Sequence, residues 1–389
     1  MDAPFAARMG KMQKSFVREL LKVAQDPSFI TFAGGLPNPV TFPIEQISIA
    51  AEKVMTQHGT KALQYGVSMG YEPLRKWIAN RYQEKYGMNV TAENILITNG
   101  SQQALDLIAK AMLDPGDKVI VEAPSYMGGI HALRLYEPVF DAVPLNDDGI
   151  DTAVLAQKIS DAKLVYTLPN FQNPTGISYT PAIKKEVAEI FKSTRTHFIE
   201  DDPYNELRFS GEDTPPLFSY APELGFLMGS FSKVVSPGMR MGWICGPLHL
   251  MDKILIAKQA SDLHSNQLSQ YIIHQFMLDN DYNAHLKGIQ NLYKNQRDLM
   301  VAAIKKHFPS SISHTIPEGG MFLWTRLPEG MDALKLFDKA VEQKVVFVPG
   351  QPFFTDGSGQ NALRISFSMT PAEQIDEGVQ RLARAIKTY

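Results

Sequence analysis

Gly225-Phe226-Leu227-Met228-Gly229-Ser230 and Met241-Gly242-Trp243-Ile244-Cys245-Gly246 are two short apolar runs joined by Phe231-Ser232-Lys233-Val234-Val235-Ser236-Pro237-Gly238-Met239-Arg240. Each run is almost continuously apolar and too short for a helix, as a strand covered on both faces requires. The joining segment is rich in hydroxyls, Gly and Pro, the composition of a turn. Working outward, similar runs recur at Asn94–Thr98, Lys118–Glu122, Lys163–Leu168 and His197–Asp201. Helical patterns lie between them. After Ser101, for example, Leu105, Ile108, Ala109 and Met112 repeat at i, i+3, i+4 and i+7. Such strand–helix alternation predicts an α/β chain with a mostly parallel central sheet wrapped by helices.

A chain of 389 residues is long enough for two cores. The alternation runs from about residue 44 to 280, and its end overlaps two long polar-faced helical stretches at about 248–278 and 281–308. Beyond them, strand patterns (Met321–Leu327, Val345–Val348, Leu363–Phe367) mix with helices, the last showing Ile375, Val379, Leu382 and Ile386 on one face. We therefore expect a large domain over 44–280 and a smaller α+β domain over 281–389. Residues 1–43 are expected to form an N-terminal helix and an extended segment that pack with the smaller domain.

Composition narrows the function. Apolar residues make up 44% and charged residues 20%, with a net charge of −3, so nothing points to nucleic acid as a partner. The one cysteine, Cys245, lies in a strand pattern and permits no intrachain disulfide. No apolar run approaches the roughly 20 residues that span a bilayer, so no membrane association is expected. Arg8, Lys11, Lys14 and Arg18 give the N-terminus a faint transit-peptide character. A short amphipathic helix with Phe16, Val17, Leu20 and Leu21 on one side fits better, and a cytoplasmic protein is expected. The chain has no G-x-G-x-x-G for a nicotinamide cofactor, and neither H-E-x-x-H nor a cysteine pair for a metal.

In an open parallel sheet, ligands gather beyond the carboxyl ends of the strands. Four polar clusters fall at such ends. Asn99-Gly100-Ser101-Gln102-Gln103 combines small residues with a helix start, whose free N–H groups can bind phosphate, although it also reads as an ordinary capped helix. Phe171-Gln172-Asn173-Pro174-Thr175-Gly176 is either turn chemistry or a loop that presents the Asn173 amide. Glu200-Asp201-Asp202-Pro203-Tyr204 sets three acids at the end of an apolar strand. They are either solvated or costly unless one meets a cation such as a protonated pyridine. Ser230-Phe231-Ser232-Lys233, continuing to Arg240, offers hydroxyls and a guanidinium for a phosphate dianion and an amine for a Schiff base. A solvated surface lysine is the plain alternative for that position alone.

Taken together and in this order, the four strings resemble those of the fold-type I pyridoxal-phosphate enzymes, specifically the class I aminotransferases. The likeness runs from about residue 15 to the C-terminus. It extends to Gln64-Tyr65-Gly66, Pro124-Ser125-Tyr126, Pro317-Glu318-Gly319-Gly320-Met321-Phe322, Val348-Pro349-Gly350 and Arg364-Ile365-Ser366-Phe367. Ala33-Gly34-Gly35-Leu36-Pro37-Asn38-Pro39, Phe42-Pro43, Gly100–Leu105 and Asp262-Leu263-His264 are most similar to the 2-aminoadipate and kynurenine aminotransferase subgroup.

The resemblance implies pyridoxal 5'-phosphate as cofactor and a role for each matched residue. Lys233 would carry the cofactor and then act as acid/base. Asp201 would keep the pyridine nitrogen protonated, making the ring an electron sink. Tyr204 and Asn173 would bond its phenolic oxygen, and Tyr126 would stack on the ring. Gly100, Ser101, Gln102, Ser230, Ser232 and Arg240 would hold the phosphate, with Tyr65 reaching it from the other subunit of a homodimer. Arg364 would clamp the substrate α-carboxylate, in a substrate site that includes Asn173 and Gly35. Arg18, in a mobile N-terminal helix, would meet the distal carboxylate of 2-aminoadipate or 2-oxoglutarate and swing away from apolar side chains.

The expected activity is transfer of the amino group of an L-amino acid (2-aminoadipate, aromatic or branched) to a 2-oxo acid, 2-oxoglutarate in the first place, by a ping-pong mechanism. A β-lyase, decarboxylase or acyltransferase on the same fold would share Lys233 and Asp201 but need not keep Arg364. A regulator that only senses the cofactor would carry a DNA-binding domain upstream, whereas here the enzyme-like part begins almost at Met1.

Overall fold

A computed structural model describes residues 4–12 and 26–389. The expected helix with Phe16, Val17, Leu20 and Leu21 lies outside the described residues, and so does Arg18. The strands are β1 (Ile30–Thr31), β2 (Ile95–Thr98), β3 (Lys118–Ala123), β4 (Val139–Asn146), β5 (Gly149–Ile150), β6 (Leu164–Thr167) and β7 (His197–Asp201). They continue as β8 (Gly225–Ser230), β9 (Gly242–Cys245), β10 (Ser313–His314), β11 (Phe322–Arg326), β12 (Val345–Val346), β13 (Val348–Pro349) and β14 (Ala362–Ser366).

Eight of them form the central sheet, in the order β2-β9-β8-β7-β6-β3-β4-β5. The β4-β3-β6-β7-β8 run is parallel throughout. β9 is antiparallel to both neighbours, so β2 again points the same way as β8. Helices Ser101–Met112 and Leu248–Asp262 bury Leu105, Ile108, Met251 and Ile254 against one face. Helix Pro181–Thr194 packs Val187 and Phe191 on the other. Every residue of β2, β6, β8 and β9 is buried, which is why those strands read as unbroken apolar runs.

Three local readings need correction. β4 lies outside the expected strands: it is partly exposed, is interrupted by Asp141 and contains Pro144, which argues against a strand. The stretch 248–278 is two helices, Leu248–Asp262 and Gln267–Asp279. Leu263 breaks it with φ 64°, and Asn266 restarts it by accepting a hydrogen bond from Ser269 N at 2.8 Å. The single strand expected over Val345–Val348 is split at buried Phe347, with β12 pairing in parallel with β1 and β13 antiparallel with β14. β10, β11, β14 and β13 form a second, antiparallel sheet. The last helix, Ala372–Lys387, buries Ile375, Val379, Leu382 and Ile386 as its periodicity predicts. Among the described residues no helix is long and apolar enough to cross a membrane.

Candidate active site

Because β2, β3, β6, β7 and β8 share one direction, the segments that follow them converge on one edge of the sheet. Register tightens this: Gly242 of β9 lies opposite both Thr98 of β2 and Ser230 of β8. The Asn99–Gln103, Ser230–Lys233 and Arg240 segments are therefore neighbours. A Cβ on Gly242 would come within 2.9 Å of Gly100 Cα, so the approach of these backbones depends on glycine.

The three acids at the end of β7 are buried, not solvated. Glu200 accepts Leu217 N at 3.0 Å and Phe218 N at 2.6 Å. Asp202 accepts Asn170 Nδ2 at 2.9 Å. Pleating turns Asp201 the other way, where Oδ2 accepts the Tyr166 hydroxyl at 2.8 Å and Oδ1 is buried with no partner. Burial pushes the Asp201 carboxyl up to about 7, with Asp202 and Glu122 adding to the rise against the Tyr166 hydrogen bond. A buried carboxylate oxygen lacking a donor suits a ligand that brings a charged N–H, such as a protonated pyridine.

Lys233 follows β8, and its Nζ donates to Gly35 O at 3.0 Å. Burial lowers its ammonium to about 8, helped by the positive charges of Arg364 and Arg240. The nitrogen stands 6.0 Å from the Tyr204 ring centroid. Tyr204, itself buried, has its phenol pushed up by burial and shares a hydrogen bond with Asn173.

Arg364 on β14 completes the group. Nη1 donates to Asn173 Oδ1 at 2.9 Å and Nη2 to Ala33 O at 2.7 Å, while Nε is buried without a partner. Its guanidinium lies over the Phe322 and Phe353 rings, 4.4 and 5.3 Å from their centroids. Burial lowers it to about 10, against the attraction of Tyr204 and Tyr126. No carboxylate pairs with this buried cation among the described residues, an arrangement suited to a ligand carboxylate. A Cβ on Gly35 would meet the Phe322 ring at 3.0 Å, so glycine keeps this corner open.

The residues expected to hold a phosphate include Gly100, whose φ of +81° precedes helix Ser101–Met112. Arg240 is exposed, and among the described residues its guanidinium hydrogen-bonds carbonyls, Asn99 O at 3.1 Å and Pro237 O at 3.4 Å. Ser230 Oγ accepts Ser232 N at 3.1 Å, and Gln102 Nε2 donates to Gly128 O at 3.0 Å. Tyr126 caps helix Met127–Arg134 and is close enough to Tyr204 and Arg364 for their charges to interact. Tyr65 joins none of these: it is 79% exposed and stands edge-on to His264, 5.8 Å between centroids.

Four contributors were not named in advance. Tyr166 holds Asp201, the Ala33 carbonyl holds Arg364, and Phe353 packs on it. Glu122, buried and pushed up to about 7 by burial, accepts Tyr179 OH, Gln172 Nε2 and Leu168 N and so ties the end of β3 to the Asn173 loop. A glutamate closing an apolar strand, as Asp201 does, was the one signal available for it. The orphaned oxygen of Asp201, the weakened Lys233 ammonium and the carbonyl partners of Arg240 together fit a ligand with a basic ring nitrogen, an aldehyde and a phosphate.

Comparison with known proteins agrees. The model of the family "Aminotransferase class I and II" matches residues 38–382. The chain is 41% identical over 390 residues to a 2-aminoadipate transaminase of Thermus thermophilus, covering 98% of this chain and 96% of the relative. It is 39% identical over 391 residues to aromatic-amino-acid aminotransferase 1 of Thermococcus litoralis, covering 98% and 94%. A crystal structure of alpha-aminoadipate aminotransferase from Thermus thermophilus, complexed with N-(5'-phosphopyridoxyl)-L-leucine, superposes with a TM-score of 0.91 at 39% identity, covering 99% of this chain and 97% of that one.

Proposed function

The chain belongs to the class I and II aminotransferases, and from that premise we propose that it transfers amino groups from 2-aminoadipate and from aromatic or branched L-amino acids to 2-oxoglutarate, in two half-reactions. It is a pyridoxal-phosphate-dependent aminotransferase. The observation that carries the substrate reading is Arg364, a buried guanidinium with no acid paired to it among the described residues and an unused Nε. Amino donor and 2-oxo acceptor share one feature that such a group binds, an α-carboxylate.

When bound, the cofactor supplies a carbonyl that condenses with amines and a ring that withdraws electrons from the substrate Cα. The rest falls to the chain. Asp201 Oδ1 would hold the proton on the ring nitrogen, with that carboxylate fixed in place by the Tyr166 hydroxyl. Gly100, Ser101, Gln102, Ser230, Ser232 and Arg240 bind the phosphate. Tyr126 would pack on the ring. Asn173 spends its oxygen on Arg364, which leaves its amide to donate to the ring's phenolic oxygen beside the Tyr204 hydroxyl. Arg364 orients the substrate, and Lys233 moves the proton at Cα. An ammonium lowered to about 8 has far more free amine near neutral pH than an ordinary lysine near 10.4.

Side-chain preference rests on Arg18. A buried distal carboxylate needs a cation, whereas a fixed buried cation would reject leucine or phenylalanine, so a cation that moves reconciles the two. Arg18→Ala is expected to weaken kcat/KM for 2-aminoadipate and 2-oxoglutarate by roughly 2–3 kcal/mol, the scale of a lost charged hydrogen bond. Leucine and aromatic donors, followed as half-reactions through the cofactor absorbance, should change little. A uniform loss across donors would assign Arg18 to folding instead.

The protein works as a homodimer in the cytoplasm, its large domain over 44–280 and smaller domain over 281–389. Exposed Leu63, Tyr65 and Val67 support a covered surface here, and Tyr65 then serves the phosphate of the partner's site. Sedimentation at assay concentration should give a species of at least two chains. A fully active monomer would contradict the shared site.

A further inference from the structure

Against the Asn99–Gln103 turn lies an ion pair that the chemistry above does not use, its lysine fully buried and its aspartate side chain 23% exposed. Lys258 is fully buried in helix Leu248–Asp262, and Asp262 ends the same helix one turn later. Lys258 Nζ donates to Asp262 Oδ2 at 2.7 Å, Ser265 Oγ at 2.8 Å and Gln103 Oε1 at 2.9 Å. Asp262 Oδ2 also accepts Asn99 Nδ2 and Gln103 Nε2, each at 2.7 Å. Gln103 Oε1 in turn accepts Asn99 N at 2.8 Å.

Stability alone does not account for this arrangement. Burying the Lys258 ammonium costs several kcal/mol before pairing, and an apolar residue of similar volume often does as well or better. Asp262 Oδ1 is moreover buried with no partner, a further cost. The network does constrain one thing closely. Asn99 is gripped at its N–H by Gln103, at its side chain by Asp262 and at its carbonyl by Arg240. Gly100, in its left-handed conformation, comes next, followed by the hydroxyl and N–H groups of Ser101 at the helix start. The direction of those donors depends on how firmly Asn99 is held.

We propose that Lys258 and Asp262 are positioning residues, an ionic clamp that sets the Asn99–Gln103 turn in its phosphate-binding shape before the cofactor arrives. The proposal rests on the reading of that turn as the phosphate seat. Neither residue needs to touch the ligand. A turn already ordered loses less conformational freedom on binding, and donors held by a second layer of hydrogen bonds keep their aim.

The test compares two probes on the apoenzyme, pyridoxal 5'-phosphate and pyridoxal, which has the same ring and aldehyde without the phosphate. Equilibrium titration by fluorescence avoids any reliance on activity. Asp262→Asn removes the acid, and the double variant Lys258→Met/Asp262→Asn removes both charges, so that the buried ammonium is not left without its acid. Ser101→Ala reports on the turn itself. The double variant is expected to weaken the phosphate ester about tenfold, or ~1.4 kcal/mol, with pyridoxal changed less than about twofold. A merely structural pair would weaken both probes alike, and that result would overturn the clamp. So would a loss of phosphate preference in Ser101→Ala but not in the double variant. If neither variant changes the preference, the phosphate reading of the turn falls, and the clamp with it.

Discussion

Lys233→Ala is expected to abolish covalent attachment of the cofactor and to slow single-turnover amino transfer by about 10³-fold or more, toward the upper range for a positioned acid/base. The phosphate seat does not depend on this side chain, so pyridoxal phosphate should still bind non-covalently. The amine has two properties that a substitute would need. It stands next to Gly35 O and the Tyr204 ring, and its ammonium is lowered to about 8 by burial and by Arg364 and Arg240. Since the free amine is the working form, the proton-transfer limb of the wild-type profile should rise as pH passes upward through about 8 and then level. Small primary amines added to Lys233→Ala should restore part of the rate, with the limb moved toward the pKa of the added amine. Borohydride reduction of the wild-type holoenzyme followed by peptide mapping provides the direct check. A pyridoxyl group on any other lysine would remove Lys233 from the mechanism.

The parts of this site that were legible from residues alone are those that depend on local chain order. Once short apolar runs alternate with helical periods, the residues after each run must lie along one edge, and Ser101, Asn173, Asp201 and Lys233 are such residues. Orientation across a pleat is less accessible. Asp201 and Asp202 are adjacent and chemically alike, and the resemblance to a family singled out Asp201, but that one faces Tyr166 and the other Asn170 follows only from strand register. Contacts between distant segments were hidden for the same reason. Ala33 meets Arg364 because β1 pairs with β12, a pairing of two-residue strands with no distinctive pattern. The break at Leu263 was also hidden, because a left-handed leucine within a helical period contradicts its own propensity and is held by tertiary context. The polar layer beneath the edge, with Glu122, Tyr166, Lys258 and Asp262, is scattered through the chain and becomes a unit only on folding.

Asp201→Asn should separate the two costs that the wild-type carboxylate carries. The amide keeps the shape and can still accept the Tyr166 hydroxyl, but it cannot hold a proton on a ring nitrogen as an anion does. Amino transfer by the cofactor-saturated enzyme is therefore expected to fall by about 10²–10³-fold, the scale of a removed preorganised electrostatic group. Asp202→Ala should be milder for catalysis and worse for folding, because it leaves Asn170 Nδ2 without its acceptor and Lys184 without one of its compensating acids. Stability of the apoenzyme should move the other way at Asp201. Its carboxyl is raised by burial to about 7, above the ordinary value, so between roughly pH 4 and 7 the folded chain binds more protons than the unfolded one. Stability from this group accordingly falls as pH rises across that window, and the penalty is complete above it. Asp201→Asn removes the penalty, so the Tm of the variant relative to wild type should be higher at pH 8 than at pH 5. Calorimetry of both apoproteins at the two pH values, with half-reaction rates measured beside it, tests the assignment. A Tm difference independent of pH together with an unchanged rate would mean that Asp201 neither carries a buried charge nor serves the cofactor.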